Sequence, residues 1–480
     1  MTTTRRQLLA RAAAGIGLSA LGLPLGGLSA DEATDWGAAP GALPGLPHFA
    51  PKAKRVILLW QGGGASHIDL YDHKPKLDDM RFKDLPDSVR TGARLSSMTA
   101  GYKSWPILPA IKPFKAYGQS GTFMSEMLPH IGGMADDICL IRSMQTEAVN
   151  HAPGVAFTLT GSQVPGRPSI GAWLTYALGV KAKDLPGYVV MTSTDKGRTC
   201  GQLFYEHYWG SGFLPSRFQG VRFRAEGEPV LYLRDPAGIA PPQMRDLLDD
   251  ISELNHHRFE TQGDPEIETR IAQYEMAYQM QSSVPDLLDI SKEPKHVLDL
   301  YGPDVQRRGS FAFHCLLARR LAERGVRCVQ LMHSGWDQHQ NWSTQLEEQC
   351  RDTDQPSGGL LQDLKQRGLL EDTLVVWCTE FGRTVFLQGD RNNPKGFGRD
   401  HFGRAYSVWM AGGGVKGGHV HGETDEFAYN VVQDHVHVHD LQATIMHLMG
   451  IDHTRLTYRY QGRQFRLTDV HGEVVKGILA

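Results

Sequence analysis

The chain contains six short apolar runs that are separated by polar or helical stretches. They occupy residues 55–61, 138–144, 188–191, 326–332, 374–378 and 406–410. The first run ends at Gly62-Gly63-Gly64, and a short apolar run bounded by glycine is typical of a strand buried in a parallel sheet. Helical patterns, for example at 311–323 and 360–366, lie between several runs. This alternation predicts an α/β fold with a mostly parallel sheet and helices on both faces.

Two other stretches differ from this pattern. Residues from about 203 to 300 are more polar and contain a helical pattern around 244–281, which predicts a helical insertion packed on the sheet. Residues 31–53 are rich in Gly, Pro and Ala, as expected for a linker. The α/β domain is therefore predicted to span 54–480.

Residues 1–30 predict an export signal. Arg5-Arg6 precede a weakly apolar stretch that ends at Ala30, a pattern typical of a twin-arginine signal cleaved at small residues. A membrane anchor is the alternative, because the stretch holds about 20 mostly apolar residues. Its five glycines and Pro24 disfavour a stable spanning helix. We expect recognition by the twin-arginine translocation machinery, cleavage after Ala30, no stable membrane span afterwards, and a periplasmic or extracellular location.

Charge and cysteine content narrow the function only a little. The formal net charge of −3 gives no electrostatic reason to expect binding to nucleic acid or to an anionic membrane. The six cysteines are scattered, with no Cys-x-x-Cys pair, and leave disulfide bonds undecided.

Histidine and acidic side chains lie next to three of the apolar runs. Asp337 and His339 follow the run at 326–332, Glu380 follows 374–378, and His401 precedes 406–410. Chemistry in an open parallel sheet gathers at the carboxyl ends of its strands. Mixed imidazole and carboxylate ligands favour Zn²⁺ or Mn²⁺ over Ca²⁺ or Mg²⁺. Any one of these residues alone is more typical of a hydrogen-bonded structural role, but the three clusters together predict a metal site.

The segment 145–161 predicts a helix that begins at the end of a strand. Asn150 is placed as the N-cap, Pro153 lies in the first turn, and Gly161 ends the helix. The positive end of such a helix favours an anion such as phosphate or sulfate. A well-capped helix without a ligand explains the pattern equally well.

Three features have weaker functional readings. Asp69 follows the glycines at 62–64 and is a candidate metal ligand, although the loop lacks the lysine of a phosphate-binding loop. The histidines within 434–440 could share one face of an extended segment, but a lead-in to a helix at 441–449, with Asp440 near its N-cap, is favoured. Cys378 is expected in the core rather than as a nucleophile.

Together these segments resemble the sulfatase-like proteins of domain-of-unknown-function family 1501, within the alkaline phosphatase superfamily. The matching pieces lie at 61–69, 150–153, 335–339, 379–383, 398–401, 411–418, 455–458 and 467–472. The resemblance covers the chain from about residue 54 onwards. It implies an alkaline phosphatase/sulfatase-like α/β fold.

The sulfatase nucleophile motif, Cys-x-Pro-x-Arg, is altered in this chain. On that motif, His151 stands in the place of the nucleophile and Val155 in the place of the arginine, while Pro153 and the Thr160-Gly161 pair are kept. No Ser, Thr or Cys stands at the nucleophile position. The ordinary covalent route of the superfamily is therefore not expected.

The superfamily's metal motifs are kept in part. The Asp that usually follows the first strand is missing near Gln61-Gly62, and Glu380-Phe381-Gly382 keeps the carboxylate of an Asp-His-Gly motif without its imidazole. His401 aligns with a metal-binding histidine. Asp337 and His339 resemble the Asp/His metal segment at a shorter spacing.

The resemblance implies an exported metal-dependent hydrolase that acts on a small-molecule or glycan ester of sulfate or phosphate. Candidate ligands are Asp337, His339, Glu380, His401 and Asp69, and candidate catalytic residues are His151 and Asn150. A metal-activated water would replace the lost nucleophile. The alternative is a non-catalytic, metal-containing protein that binds sulfated or phosphorylated ligands. A purely structural role has no support beyond export.

Overall fold

A nine-stranded sheet forms the centre of the computed structural model, which describes residues 39–90, 92–193, 204–225, 227–230, 241–393 and 395–480. The sheet strands are β1 Arg55–Gln61, β4 Ile138–Gln145, β5 Tyr188–Thr192, β6 Val221–Phe223, β7 Cys328–His333, β8 Thr373–Cys378, β13 Tyr406–Ala411, β14 His419–His421 and β17 Val436–His437. The remaining strands form two-stranded ribbons: β2 Phe114–Tyr117, β3 Thr122–Ser125, β9 Gly382–Arg383, β10 Gln388–Gly389, β11 Phe397–Gly398, β12 His401–Phe402, β15 Glu423–Thr424, β16 Val431–Gln433, β18 Tyr458–Tyr460 and β19 Arg463–Phe465.

The α-helices are α1 His67–Leu70, α2 Lys76–Asp79, α3 Asp87–Arg90, α4 Pro129–Gly132, α5 His151–Thr160, α6 Ile170–Leu178, α7 Pro241–Gln262, α8 Pro265–Leu288, α9 Lys295–Tyr301, α10 Phe311–Glu323, α11 Trp342–Gln366 and α12 Val438–Leu448. Short 3₁₀ helices lie at Ala135–Asp137, Glu206–Tyr208, Ser216–Phe218, Pro303–Gln306, Leu370–Asp372 and Lys476–Ile478. None of the described helices combines the length and apolar character needed to cross a bilayer.

The sheet runs in the order β14-β4-β13-β8-β1-β7-β5-β6, with β17 also pairing with β4. β1 is parallel to both β7 and β8, whereas β13 is antiparallel to both β4 and β8. Every predicted apolar run forms a strand, with ends that differ by two residues at most. The predicted fold class, a mostly parallel sheet with helices on both faces, is confirmed.

The two faces of the sheet bury separate hydrophobic cores. In β1, Ile57 and Leu59 belong to one core, and Val56, Leu58 and Trp60 belong to the other. The first core is covered mainly by α8 to α11, and the second by α5, α6 and α12. Because successive side chains of a strand point to opposite faces, a continuous apolar run is what burial on both faces requires.

The reversed strand β13 decides where the preceding loop lies. Its first residue, Tyr406, pairs with Met144 near the carboxyl end of β4. The carboxyl ends of β1, β7 and β8 lie at the same edge, since Gln61 pairs with His333 and Trp60 with Cys378. An antiparallel strand brings the segment before it, not the segment after it, to that edge. This is why residues just ahead of β13 meet residues that follow the parallel strands.

The helices agree with the sequence patterns less closely than the strands do. The pattern at 311–323 matches α10, but α11 begins at Trp342, well before the predicted 360–366. The first half of α11 is polar and the helix contains Pro356, Gly358 and Gly359, which hide it from a pattern search. A Cβ at Gly359 would lie 2.3 Å from the carbonyl oxygen of Leu300, so close packing requires glycine there.

The region predicted as an insertion contains two long helices. α7 and α8 are separated at Gly263 and Asp264, whose side chain accepts a hydrogen bond from the Glu266 N–H. α8 buries Met280, Val284 and Leu287 in the first core. The assignment of 203–300 as an insertion and of 31–53 as a linker stays a prediction.

The C-terminal helix α12 begins earlier than the sequence suggested. It spans Val438–Leu448 rather than 441–449, and its N-cap is His437. Asp440, predicted near the N-cap, is the third helical residue and closes a capping box with the backbone of His437. The favoured helix is therefore confirmed, with Asp440 in its first turn, but its predicted start at 441 was wrong by three residues.

The described cysteines are buried free thiols: Cys139, Cys315, Cys328, Cys350 and Cys378. Cys200 and the predicted signal at 1–30 lie outside the described residues. Burial raises the pKa of the Cys378 thiol, which keeps it protonated at neutral pH and fits a core role rather than that of a nucleophile.

Acid sensitivity is expected from His314 on α10. Burial, with a smaller contribution from His333, lowers the pKa of His314 to about 3. In the unfolded chain the imidazole gains a proton below its usual pKa of about 6.5, so this residue lowers the free energy of unfolding as pH falls from 6.5 toward 3. The loss should reach about 2 kcal/mol at pH 5.

Urea unfolding at pH 7.5 and pH 5 measures this effect. His314→Leu should reduce the difference between the two pH values, whereas the exposed His296→Leu on α9 should leave it unchanged. An unchanged pH difference in His314→Leu would contradict the assignment.

Candidate metal centre

Four side chains converge at the edge where the parallel strands end. One ligand atom each from His151, Asp337, His339 and His401 lies within 4.8 Å of the others. They come from three segments: the start of α5, the loop after β7, and β12 just ahead of β13. The reversed direction of β13 is what adds His401 to the group. The sequence-predicted residues Asp337, His339 and His401 are therefore brought together with His151.

Asp337 lies at the centre of the four. Its Oδ1 is 2.8 Å from Nε2 of His339 and 3.2 Å from Nε2 of His401. Its Oδ2 is 3.2 Å from Nε2 of His151. Ligand atoms around a tetrahedral ion with bonds of about 2.0–2.1 Å lie about 3.3 Å apart, and the contacts among Asp337, His339 and His401 are close to that spacing.

The other nitrogen of each imidazole is tied to an acceptor outside the centre. Nδ1 of His151 lies 2.8 Å from a carboxylate oxygen of Glu380, and Nδ1 of His401 lies 2.9 Å from the carbonyl oxygen of Val149. Nδ1 of His339 lies 2.6 Å from the side-chain oxygen of Gln388. Carboxylate and carbonyl oxygens only accept, so each Nδ1 carries the proton. Each Nε2 then presents a lone pair to the centre, as second-layer contacts do for metal-binding histidines.

The Nε2 atoms of His339 and His401 are 3.0 Å apart. With both Nδ1 atoms protonated, neither Nε2 has a proton to donate to the other, and two lone pairs face each other. Nε2 of His151 is likewise buried without a hydrogen bond. Such an arrangement is unfavourable unless a positive charge lies among the nitrogens. The donor set therefore fits a cation, and its mixture of imidazole and carboxylate fits Zn²⁺ or Mn²⁺.

Arg383 is a fifth member that the sequence did not single out. Its guanidinium is 1% exposed and donates to Oδ1 of Asp337 at 2.5 Å. It also donates to the carbonyl oxygens of Gly63, Gly64, Trp336 and Arg399. The guanidinium of Arg383 thus already occupies the space among these oxygens. A second metal ion cannot occupy the same oxygens while the guanidinium is present.

Burial and neighbouring charges shift the pKa values of the centre in different directions. Burial would raise the pKa of Asp337, but the charge of Arg383 and the contacts with the three imidazoles hold it well below its usual value. Burial lowers the pKa of His401 to about 4 despite Asp337. For His151, burial would lower the pKa, yet its contacts with Asp337 and Glu380 raise it overall. The centre thus combines an ionised carboxylate with one neutral and one more basic imidazole.

Glu380, a predicted ligand, contacts the centre indirectly, through His151. Its Oε1 accepts from Nδ1 of His151 and from the N–H of Gly63, each at 2.8 Å, and its Oε2 accepts from Thr379. It does not belong to the four converging side chains. Its position predicts that it fixes the ring of His151.

The glycines after β1 allow two loops to touch. Gly63 has φ of +121°, and a Cβ there would lie 2.6 Å from the backbone nitrogen of Asp337. The loop thus allows close approach of backbone to backbone beside Asp337, a contact for which Gly63 is required.

Asp69, another predicted ligand, is placed in a buried ion pair. Its two oxygens accept from the guanidinium of Arg399 at 2.8 and 3.2 Å, and its side chain is 0% exposed. Ser66 and Trp342 also donate to it. With these contacts, Asp69 fixes the segment that precedes His401. The local sequence held no sign of its partner, which lies 330 residues away.

Asn150 occupies the predicted N-cap of α5, but its exposed side chain makes no capping hydrogen bond. Gly161 ends the helix at φ of +71°, as predicted. The pattern of helix start and stop was therefore confirmed, while a catalytic role for Asn150 stays a prediction.

The chain matches a known protein family over most of its length. A family model described as "Protein of unknown function (DUF1501)" matches residues 53–479. The chain belongs to this family. The resemblance expected from the sequence is thus confirmed, and no curated protein matches the chain.

Solved structures similar to this DUF1501 protein include sulfatases and alkaline phosphatases. A sulfatase from Pseudoalteromonas sp. is 13% identical, with a TM-score of 0.34, over 83% of this chain and 68% of that one. The alkaline phosphatase of the Antarctic bacterium TAB5 is 12% identical, with a TM-score of 0.30, over 83% and 98%. The lipoteichoic acid synthase LtaP of Listeria monocytogenes is 8% identical, with a TM-score of 0.35, over 90% and 78%. The likeness concerns the fold.

One divalent ion is expected per chain. Elemental analysis of protein purified after expression with Zn²⁺ or Mn²⁺ should find a stoichiometry near one, because Arg383 fills the neighbouring oxygen cage. His401→Ala should lose the ion, while the exposed His435→Ala should keep it. Equal metal content in His401→Ala and wild type would refute the ligand role.

The role of Asp69 can be separated from metal binding. Asp69→Asn leaves the buried charge of Arg399 without a partner and should lower the free energy of unfolding by about 3–5 kcal/mol. The folded variant should still bind one metal ion, since Asp69 lies outside the four converging side chains. Loss of metal with stability unchanged would instead make Asp69 a ligand.

Proposed function

We propose that this DUF1501 protein is an exported hydrolase that uses one divalent metal ion to cleave a sulfate or phosphate ester. The observation that carries the proposal is the convergence of three imidazole lone pairs and the Asp337 carboxylate on one point. Zn²⁺ and Mn²⁺ suit these donors better than Ca²⁺ or Mg²⁺. When bound, the ion would supply Lewis acidity to the ester and make a water acidic enough to attack near neutral pH.

We assign Asp337, His339 and His401 as the protein ligands. Three protein ligands and an open position are typical of catalytic zinc sites, whereas structural sites are closed by four. All three sit on the loop after β7 and on β12, and their outer contacts hold them in place. Arg383 keeps the Asp337 carboxylate ionised.

His151 is assigned as the general base on the open side. Its Nδ1–H donates to Glu380, so Nε2 is the basic atom and faces the centre. The carboxylate stabilises the imidazolium that forms when Nε2 takes a proton, as in other carboxylate-backed histidine bases. The raised pKa of His151 agrees with this use. A water deprotonated by His151 takes the place of the missing side-chain nucleophile.

The start of α5 can receive the anionic part of the ester. His151 is the first residue of the helix, so the first N–H groups of α5, which have no partner inside the helix, lie beside the same imidazole. The partial positive charge there favours sulfate or phosphate. The helix start and the metal ligands would thus contact two ends of one ester group.

A second reading is a non-catalytic protein that binds sulfated or phosphorylated ligands. The absence of Ser, Thr and Cys at residue 151 and the presence of Val155 favour it. This reading assigns the same metal centre and the same helix start to ligand binding, but expects no turnover.

Metal content and turnover together test the proposal. Protein loaded with Zn²⁺ or Mn²⁺ should cleave at least one of a panel of aryl sulfates, phosphomonoesters and phosphodiesters. His151→Gln should keep the metal and lose turnover by about 10²–10⁴-fold, the usual contribution of a general base. His401→Ala should lose both, and the exposed His435→Ala neither.

The outcomes separate the two readings. Binding of sulfate or phosphate esters with no turnover in any metal form would favour the binding protein. Full turnover in His151→Gln would show that His151 is not the general base. Loss of metal in His151→Gln would make His151 the fourth ligand and close the site.

Export is proposed from residues 1–30, which carry the twin-arginine pattern. That route carries folded proteins, and a centre built from distant segments has to form in the folded chain.

A further inference from the structure

A cavity of about 410 Å³ lies beside the second half of α5, outside the four-residue centre. Among its lining residues are Phe157 of α5, His439 of α12, and Glu147, Arg167, Asp469 and His471. The proposed function uses none of these side chains. The described residues leave part of the hydrogen-bonding capacity of His439 and Arg167 in this cavity unused.

The unused acceptor is Nε2 of His439, whose side chain is 4% exposed. The Gln442 amide nitrogen donates to the carbonyl oxygens of Phe157 and Thr158, each at 2.9 Å, which fixes its orientation. Its oxygen therefore accepts from Nδ1 of His439 at 3.1 Å. Nδ1 carries the proton, and Nε2 keeps a lone pair that has no hydrogen-bond partner in the described part of the chain.

The unused donor is the guanidinium of Arg167, which lines the cavity and whose side chain is 21% exposed. Its Nη2 donates to Asp469 at 2.8 Å and so fixes the guanidinium. Nη1 makes no hydrogen bond among the described residues but is covered, so a ligand would reach the exposed part of the group. A hydroxyl oxygen that accepts from the guanidinium gains a charge-assisted hydrogen bond.

Ring surfaces complete the lining. The imidazoles of His439 and His471 are stacked at 5.2 Å with an angle of 18° between their planes. The ring of Phe157 stands edge-on to His439 at 5.0 Å. Flat rings beside mixed donors and acceptors are suited to a ring-shaped ligand with hydroxyl groups.

The charges exclude two other ligand classes. An inorganic anion would meet the lone pair of His439, and the guanidinium of Arg167 is already paired with Asp469. In the described part of the chain, ligand atoms of three or more His, Cys, Asp or Glu residues converge only at the centre built on Asp337.

We propose that this cavity binds a neutral sugar ring through two neighbouring hydroxyls, one that donates to His439 and one that accepts from Arg167. A hydroxyl can donate and accept a hydrogen bond, which matches a site that offers one acceptor and one donor. A cavity of this size lies within the range of small-ligand sites.

The cavity and the metal centre lie at two points of one helix. His151 begins α5 and Phe157 lies six residues on, about 9 Å along the axis. Glu147 follows β4 and binds His437, the last residue of β17, at the edge of the sheet that carries the centre. The sugar in the cavity would belong to the alcohol part of the ester, a step that rests on the proposed function.

Calorimetry with neutral sugars tests the cavity without the ester chemistry. The probes are the methyl glycosides of glucose, galactose, mannose and xylose, titrated into the full-length protein loaded with Zn²⁺ or Mn²⁺. At least one should bind with a dissociation constant of about 1 mM or tighter. His439→Phe keeps a ring but loses the acceptor, and Arg167→Met loses the donor; each should weaken binding about tenfold or more.

Matched controls locate the ligand. The exposed His435→Phe and the metal-ligand variant His401→Ala should bind the same sugar as tightly as wild type does. Arg167 is partly exposed, so Arg167→Met carries the test if His439→Phe does not fold.

Three results would overturn the inference: no sugar binds, binding is unchanged in both cavity variants, or binding is lost in His401→Ala. Ester hydrolysis without sugar binding would also reject the cavity while leaving the proposed function intact. Sugar binding without hydrolysis would support the cavity as a sugar site and reject the proposed hydrolase activity.

Discussion

The carboxylate of Asp337 is the contact on which the rest of the site depends. Its Oδ1 meets the buried guanidinium of Arg383 and the Nε2 atoms of His339 and His401, and its Oδ2 meets Nε2 of His151. An isolated charge at this depth would be strongly disfavoured, and the guanidinium is what makes an ionised carboxylate tolerable there. Arg383 is held in turn by carbonyl oxygens of the loops after β1 and β7. The backbone of the strand ends thus fixes the charge state of the centre.

A second buried pair supports the same edge. Asp69 and Arg399 join α1 to the segment ahead of β12, and Arg399 also donates to carbonyl oxygens of Thr384 and Pro109. Its neighbour Asp400 accepts from Ser96 and Thr99. His401 is therefore placed by contacts of the two residues that precede it in the chain. Much of the charge near the site serves to hold loops together and is not itself a ligand.

The sequence predicted the strands well because burial on both faces leaves a continuous apolar run. It predicted the edge at which Asp337, His339 and His401 meet, since polar residues interrupt the pattern where strands end. It could not predict the direction of β13, because strand pairing is decided by distant segments. It also could not distinguish Arg383 and Arg399 from surface arginines, because a single sequence does not show whether an arginine is buried or exposed. Their positions inside the matched motifs at 379–383 and 398–401 were the only signal. Asp69 was assigned as a candidate ligand for the same reason: its partner lies 330 residues away.

The reversal of β13 has a consequence for how the protein would acquire an ion. The groups of the centre are spread along the chain from His151 to His401, and none of the segments carries a complete binding set. An unfolded or half-folded chain thus offers a cation only scattered single ligands. Binding would then favour the native state alone and raise the stability of the whole domain in proportion to the logarithm of the free ion concentration. In such a protein the melting temperature itself reports how much metal the surroundings supply.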